Sequence, residues 1–481
     1  MRKIRTTLLL GLVAALAAGA AFAQANFSKY EALGDSLTAG YSAGALTKFY
    51  QDYSYPELLA KQFGITSFQQ PTISDPGIGS YGTVLELTAL HVVNGSVVPV
   101  IGPTPGNSGQ PINATLPTSY NNLGIPGANA GDLLTKTGDI TKLLTGNIDP
   151  NTIMFDLVLR DAQHTAIQQA IGAAPTFVTV WAGNNDVLNA ALTGVALEGV
   201  TLTPAAQFQQ EYTTLLGALR QNLSTAAIVV GTVPDVTAIP FVSTIKPYLI
   251  NPATGAHIPL LGGTPTAIVP LTEQDYVTLG ASSLLAQGIG IPLEAGGTGL
   301  PLPEGSVDAT GLHAGVILRA SEIAAIQART NDINGIISAV AGQVGAKVVD
   351  FHAIFANIVA NGVLVGGIKL ESTFLTGGIF GYDGVHPQRL GYAIVANEWI
   401  KVINGAYGTN VPLVDLRPFL TGEGTLTTVS AKSAVFTSEA AISTIKLFAP
   451  NALTDKLQPE QVVRHHLTAR MDRAAITPLS P

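Results

Sequence analysis

The stretch "TFVTVWAGNND" (Thr176–Asp186) reads as a short strand, almost wholly apolar, that runs into a glycine and three polar residues. A strand apolar on both faces is covered on both sides, which is the condition of a parallel sheet packed between helices. A polar cluster at its carboxyl end lies where such sheets hold ligands. Further short strands are expected at Lys29–Leu33, at the very short Tyr120–Leu123, at "AIVVGT" (Ala227–Thr232) and at "AKVVDF" (Ala346–Phe351), several of them nearly all apolar. Helical patterns intervene at Pro56–Phe63, Asp132–Leu144, Pro204–Leu223 and Leu312–Ala341, and Pro387–Ile403 closes the core. Strands alternating with helices predict a parallel sheet between two helix layers.

Two insertions interrupt the alternation. Residues 71–119 contain "LHVVNGSVVPV", in which Asn94-Gly95 between apolar residues predicts a hairpin. Residues 235–311 are rich in proline and glycine, with a second hairpin expected around "NPATGAHIP" (Asn251–Pro259). Residues 405–481 lie beyond the last core helix and carry no role that the sequence assigns.

Composition narrows the function. Charged residues are 12% of the chain, about half the usual ~25% of globular domains. The net charge of -8 and the lack of basic runs interleaved with aromatics argue against a nucleic-acid partner. There is no cysteine, so no disulfide, thiol nucleophile or cysteine-based zinc site can form. Residues 1–23 have a basic start, an apolar centre and a small-x-small end at Ala21-Phe22-Ala23, the pattern of a cleavable signal peptide. A secreted or periplasmic protein is expected, with no integral membrane span in the mature chain.

Four stretches carry chemistry: "GDSL" (Gly34–Leu37), "NLGIPGAN" (Asn122–Asn129), "WAGNND" (Trp181–Asp186) and "DGVHP" (Asp383–Pro387). The first three end predicted strands, and the fourth precedes the last helix, so all four can meet at one sheet edge. Ester hydrolysis needs a serine and a base to take its proton. His386 is the natural base for Ser36. Asp383, three residues earlier, can hold the other ring nitrogen and stabilise the imidazolium. Pro387 suits the first position of a helix and stiffens the mount of His386. The developing oxyanion needs donors, for which the candidates are the Ser36 N–H, the Gly127 N–H and the Asn185 amide. Taken singly, each stretch also reads as a turn or a helix cap; the four in this order point to a site.

Together the four resemble the signature blocks of the SGNH hydrolases, also called GDSL esterases and lipases, over residues 28–404 with the insertions outside the match. "ALGDSLTAG" is similar to the first block. "GNND" fits a G-x-N-D block, which makes Asn185 rather than Asn184 the oxyanion residue. In "NLGIPGAN", Gly127 is the donor expected, with Gly124 the alternative. The resemblance implies a flavodoxin-like three-layer α/β/α sandwich with a mostly parallel five-stranded sheet, elaborated by the two insertions. It implies a hydrolase domain over residues 24–404, catalytic Ser36, His386 and Asp383, and no metal or organic cofactor. The substrate is expected to be a small-molecule or lipid ester. An acetylated glycan is the alternative, and a non-catalytic binding module is the reading from a different class.

Two other motifs are decoys. "GYSAG" (Gly40–Gly44) matches a nucleophile elbow, but no strand runs into it, so Ser42 is expected to be a loop serine. "GIGSYG" (Gly77–Gly82) follows Asp75-Pro76 rather than a strand, which argues against dinucleotide binding. Asp35 adjoins Ser36 in sequence, where neighbouring side chains diverge, so it is expected to brace its turn. His91, His164, His257, His313 and His352 have no ligand spacing; of these His352 follows a strand and falls nearest the expected site.

Overall fold

The structure is a computed structural model that describes residues 25–79, 82–93, 96–264, 266–420 and 434–476. Its central sheet contains β1 (Tyr30–Gly34), β4 (Asn122–Gly124), β5 (Phe177–Trp181), β6 (Ala227–Gly231) and β9 (Lys347–Val349). All four strand pairings are parallel, in the order β4-β1-β5-β6-β9. Counting only these five strands along the chain, that order is 2-1-3-4-5, the flavodoxin-like winding. The winding reverses between β1 and β5, so the crevice at their carboxyl ends is the expected binding site.

Side-chain alternation along the strands divides the core into two layers. Tyr30, Ala32, Phe177, Trp181 and Val229 face α2 (Tyr55–Gln62) and α7 (Arg389–Tyr407). Leu33, Leu123, Val178, Val180, Ile228 and Val230 face the other way, into the cluster built with α4 (Ala205–Asn222) and α5 (Ala320–Val344). On the first face Trp181 stacks on Phe351 at 4.1 Å and Tyr55 on Trp399 at 5.3 Å. Contacts of this size fix the helices that carry the site loops.

The first insertion forms β2 (Leu85–Val93) and β3 (Ser96–Pro103), paired antiparallel with Val93 opposite Ser96. That is the hairpin expected from the sequence; Asn94 and Gly95 themselves lie outside the described residues. The second hairpin is β7 (Tyr248–Ile250) against β8 (His257–Pro259). Segment 1–23 and part of "GIGSYG" also lie outside the described residues. Among those described, no helix is long and apolar enough to cross a membrane.

Two helix boundaries differ from expectation. The helix expected from Leu312 begins at Ala320, because Leu312 and Ile317 lie in short strands. Arg319 marks the true start: its N–H donates to the Glu322 carboxylate at 2.9 Å, while the Glu322 N–H donates to the Arg319 carbonyl at 2.9 Å. The helix expected over Asp132–Leu144 is two, Asp132–Thr135 and Ile140–Leu144, with Asp139 capping the second. The largest difference is past residue 434. There β10 (Val435–Phe436) pairs with β3, and α8 (Ser438–Phe448) packs into the main core.

Candidate active site

Gly34 ends β1 between Gly124 of β4 and Trp181 of β5. A side chain at Gly34 would run into Trp181 O and Thr38, so only glycine lets the chain leave the sheet here. The exit leads at once into α1 (Ser36–Ala39), so Ser36 occupies the first helical position. Asp35 caps that helix, accepting from Leu37 N at 3.0 Å, and its other oxygen accepts from Asn184 Nδ2 at 2.8 Å. Asp35 thus braces its own turn and ties it to the loop after β5. Burial raises its pKa to about 6 against the opposing pull of the Asn184 and Leu37 hydrogen bonds.

The loop after β5 starts α3 (Asn185–Thr193). Asn185 is buried, and its Nδ2 donates to Ala128 O at 2.7 Å, which aims the amide at the loop after β4. Asp186 accepts from Ala130 N at 3.1 Å and fastens the same two loops together. Burial raises its pKa to about 7, opposed first by the Thr203 side chain and then by the Ala130 N–H. Gly127 immediately precedes these contacts, with φ at 83°, a conformation that favours glycine. Neither the Ser36 N–H nor the Gly127 N–H donates to a backbone carbonyl among the described residues.

The "DGVHP" loop forms a compact turn. Asp383 Oδ1 accepts from Val385 N and His386 N, both at 2.9 Å. Its Oδ2 pairs with His386 Nδ1 at 2.8 Å and accepts from Gly44 N at 3.1 Å. Burial alone would raise the Asp383 pKa, but the His386 charge and these hydrogen bonds outweigh it and hold the carboxyl below its ordinary value. The imidazole lies between two aromatic rings, Tyr41 at 4.9 Å and Phe448 at 5.7 Å, the latter stacked at 18°. Its Nε2 is buried and has no hydrogen-bond partner among the described residues. The Tyr392 hydroxyl ties the last helix to the first block by donating to Tyr41 O at 2.5 Å.

Loops carrying Ser36, Gly127, Asn185 and Asp383–His386 therefore converge on one edge of the sheet. The hydrogen bond from His386 Nδ1 to Asp383 is formed; one from Ser36 to His386 Nε2 is not. Gly124 is the less suited of the two candidate donors, because it lies inside β4 with the backbone of α1 packed against it. Ser42 lies in a turn closed by Ser42 and Ala45, and its hydroxyl is buried. The second glycine of that decoy motif nonetheless matters, since Gly44 donates to Asp383. His352 lies in the first turn of the helix after β9, and its Nδ1 lies 3.3 Å from Val233 O. Among the described residues, no cluster of three or more His, Asp or Glu is arranged to hold a metal ion.

The family model described as GDSL-like Lipase/Acylhydrolase matches residues 30–399, which contain every one of these residues except Phe448. The chain belongs to that family. It is accordingly a hydrolase of ester bonds. A search among curated proteins found no match. Among solved structures, the chain is similar to LAE5, an alpha/beta hydrolase enzyme from the metagenome of Lake Arreo, at 13% identity and a TM-score of 0.33, covering 81% of this chain and 100% of that one. It is also similar to an extracellular lipase from Streptomyces rimosus at 16% identity and a TM-score of 0.29, covering 78% and 98%.

Sequence reasoning missed several residues of this GDSL site. Tyr41, Tyr392 and Gly44 reach it through long-range contacts with no local signature, and Asn184, though inside the "GNND" block, bonds Asp35 across 149 positions. Leu447 and Phe448 come from the C-terminal segment, where no motif marks them.

Proposed function

We propose that the chain is an exported serine esterase that hydrolyses carboxylic esters through Ser36, His386 and Asp383. The observation that carries the reading is the His386 ring, held at Nδ1 by a buried carboxylate while its Nε2 is left without a protein partner. That is the state a general base needs before substrate arrives. The proton on Nδ1 stays directed at Asp383, so the lone pair at Nε2 is the one available to Ser36.

In the first half-reaction the Ser36 hydroxyl gives its proton to His386 Nε2 as its oxygen bonds to the ester carbonyl carbon. The negative charge on the carbonyl oxygen is met by the Ser36 N–H, the Gly127 N–H and the second N–H of the Asn185 amide. Asp383 remains ionised and stabilises the imidazolium. As the C–O bond breaks, His386 returns its proton to the leaving alcohol, and the acyl group stays on Ser36. Water then repeats the cycle: it gives a proton to His386, attacks the acyl carbon, and Ser36 recovers its proton as the acid leaves. Export rests on the signal-like residues 1–23.

Replacing Ser36 by Ala removes the nucleophile and leaves the fold. In a comparable serine hydrolase such a loss lowers turnover by roughly 10⁶. The test is hydrolysis of p-nitrophenyl acetate by the purified variant. Undiminished turnover would remove Ser36 from the mechanism.

A further inference from the structure

The segment Gly40–Gly44, which matches a nucleophile elbow in sequence only, folds over Asp383 instead of presenting its serine. Asp383 takes hydrogen bonds from its own turn: Val385 N and His386 N on Oδ1, and His386 Nδ1 on Oδ2. Gly44 N, at 3.1 Å, reaches it from 339 positions away and shares Oδ2 with the histidine. The segment also lies directly on the histidine turn. A side chain at Gly381 would come within 2.5 Å of Ser42 Oγ, and the Tyr41 ring lies 4.9 Å from the His386 ring.

The Gly44 N–H reaches Asp383 because its loop is held in an uncommon shape. Ala43 has φ at 49° and Gly44 at 80°, two left-handed residues in succession, and the first carries a side chain. Backbone bonds hold part of that shape. Ser42 and Ala45 exchange hydrogen bonds at 3.2 Å each, and Leu85 N donates to Ala43 O at 2.6 Å. A side chain closes the rest: the Tyr41 hydroxyl donates to Gly44 O. Tyr41 is itself fixed, since it is buried, its N–H donates to Ser36 O at 3.0 Å, and its carbonyl accepts from the Tyr392 hydroxyl. Burial, and then the charge of Asp383, raise the Tyr41 pKa well above its ordinary value, so the hydroxyl keeps its proton and stays a donor.

We propose that Tyr41 is a positioning residue for Asp383: by clasping Gly44 it keeps the Gly44 N–H on the oxygen that holds His386, and so sets the pH range in which His386 serves as a base. The inference rests on the reading of Asp383 and His386 as the acid–base pair. The chemistry follows from the shared oxygen. An N–H on Oδ2 draws negative charge away from the side that faces the imidazole. A weaker negative partner stabilises the imidazolium less, which favours the free base. With the clasp in place, the base is available further into the acid range. Without it the two left-handed residues relax, the N–H leaves Oδ2, and the imidazolium persists to higher pH.

The test is Tyr41→Phe, which removes the hydroxyl and keeps the ring beside His386. The readout is kcat/KM for p-nitrophenyl acetate against pH, whose acid limb reports the base of the free enzyme. Losing one hydrogen bond to the carboxylate moves that limb upward by about 0.5–1 pH unit. Below the limb kcat/KM falls about three- to tenfold, the same shift read as a rate. KM on the plateau stays the same, because the hydroxyl is turned into the loop. Two other titratable groups face the pair. Tyr392 keeps its proton, because burial raises its pKa well above the ordinary value. Asp35 titrates in the working range, since burial raises its pKa to about 6, so the profile is repeated in Asp35→Asn, where the shift from Tyr41→Phe persists. In Asp383→Asn the acceptor for the Gly44 N–H is gone, and adding Tyr41→Phe costs nothing further.

A folded Tyr41→Phe protein whose acid limb stays in place would overturn the proposal. So would a loss of equal size in the wild-type and Asp383→Asn backgrounds, which marks a purely structural role, or a shift that vanishes in Asp35→Asn. Asp383→Asn with wild-type turnover would instead defeat the acid–base reading on which the inference rests. Circular dichroism checks folding. If Tyr41→Phe does not fold, Tyr392→Phe decides, since it frees the Tyr41 carbonyl and loosens the same clasp: an upward move of the limb supports the role, and an unmoved limb overturns it.

Discussion

Replacing Asp383 by Asn is the sharpest test of the acid–base pair, because the hydrogen bonds around the carboxylate determine which way the amide must turn. Oδ1 accepts two backbone N–H groups, from Val385 and His386. Oδ2 accepts one, from Gly44, and holds His386 Nδ1. An amide has a single acceptor end. With its oxygen at the Oδ1 position, it keeps two backbone bonds and leaves the Gly44 N–H facing an NH₂ group, at about 1–3 kcal/mol for one unpaired buried donor. The opposite orientation leaves two donors unpaired, at about 2–6 kcal/mol. The first orientation wins. It points the NH₂ at His386 Nδ1, which must then accept, so the ring proton moves to Nε2. That nitrogen can no longer take the Ser36 proton. In a comparable triad the wrong tautomer lowers turnover by about 10⁴. The assay is steady-state hydrolysis of p-nitrophenyl acetate, with thermal unfolding followed by circular dichroism to confirm that the variant folds. A folded Asp383→Asn protein within about tenfold of wild-type turnover would refute the assignment of Asp383 as the partner of His386.

Asn185→Ala removes one oxyanion donor and should lower turnover about 10²–10³-fold with little change in folding, read as kcat on the same ester; equal turnover would take Asn185 out of the oxyanion hole. Glu31 gives a pH-dependent stability prediction away from the site. It is buried in β1, where desolvation raises its pKa from 4.5 to about 8, against the opposing hydrogen bond from Asn121. A carboxyl with a raised folded value binds its proton more tightly in the folded state. Its stabilising effect is full below pH 4.5 and is lost as pH rises through about 8. At 1.36 kcal/mol per pH unit the loss is a few kcal/mol, about 3–5. Glu31→Gln should therefore raise the urea midpoint at pH 9 and leave it nearly unchanged at pH 4; a gain of equal size at both would contradict the buried-carboxyl account.

How legible the molecule is from its sequence depends on the range of the contacts involved. Phe177–Trp181 and Ala227–Gly231 could be read because each is a short apolar run ended by glycine or polar residues, a local signal, whereas the strand expected at Tyr120–Leu123 carries two asparagines and lies at Asn122–Gly124. The two hairpins could be read from their turn residues and flanking apolar alternation. The start of α5 could not. Leu312 and Ile317 fit a helical period, but they pair in short strands, and the cap that sets the boundary needs Glu322 to reach back to Arg319. At the site, Ser36, Asn185, Asp383 and His386 lie in compact motifs whose neighbours in sequence are also neighbours in space. Asp35 could be separated from the acid role by its adjacency to Ser36, and the hydrogen bond from Asn184 fits that reading. Gly44 and Phe448 escape such reasoning, since Gly44 meets Asp383 across most of the chain's length and Phe448 meets His386 from a helix beyond the last motif. The segment beyond residue 434 carries no motif, and nothing local says that its buried face lies against His386.

The central claim is that Ser36 is the residue that forms the covalent acyl intermediate. Treating the whole protein with a fluorophosphonate in the presence of detergent micelles, followed by peptide mass mapping, tests it directly. The account predicts a single added mass on the peptide containing Ser36, absent from Ser36→Ala and greatly slowed in Asp383→Asn. Mass on Ser42 or on another serine in the wild-type protein, or equal labelling after Ser36→Ala, would contradict it.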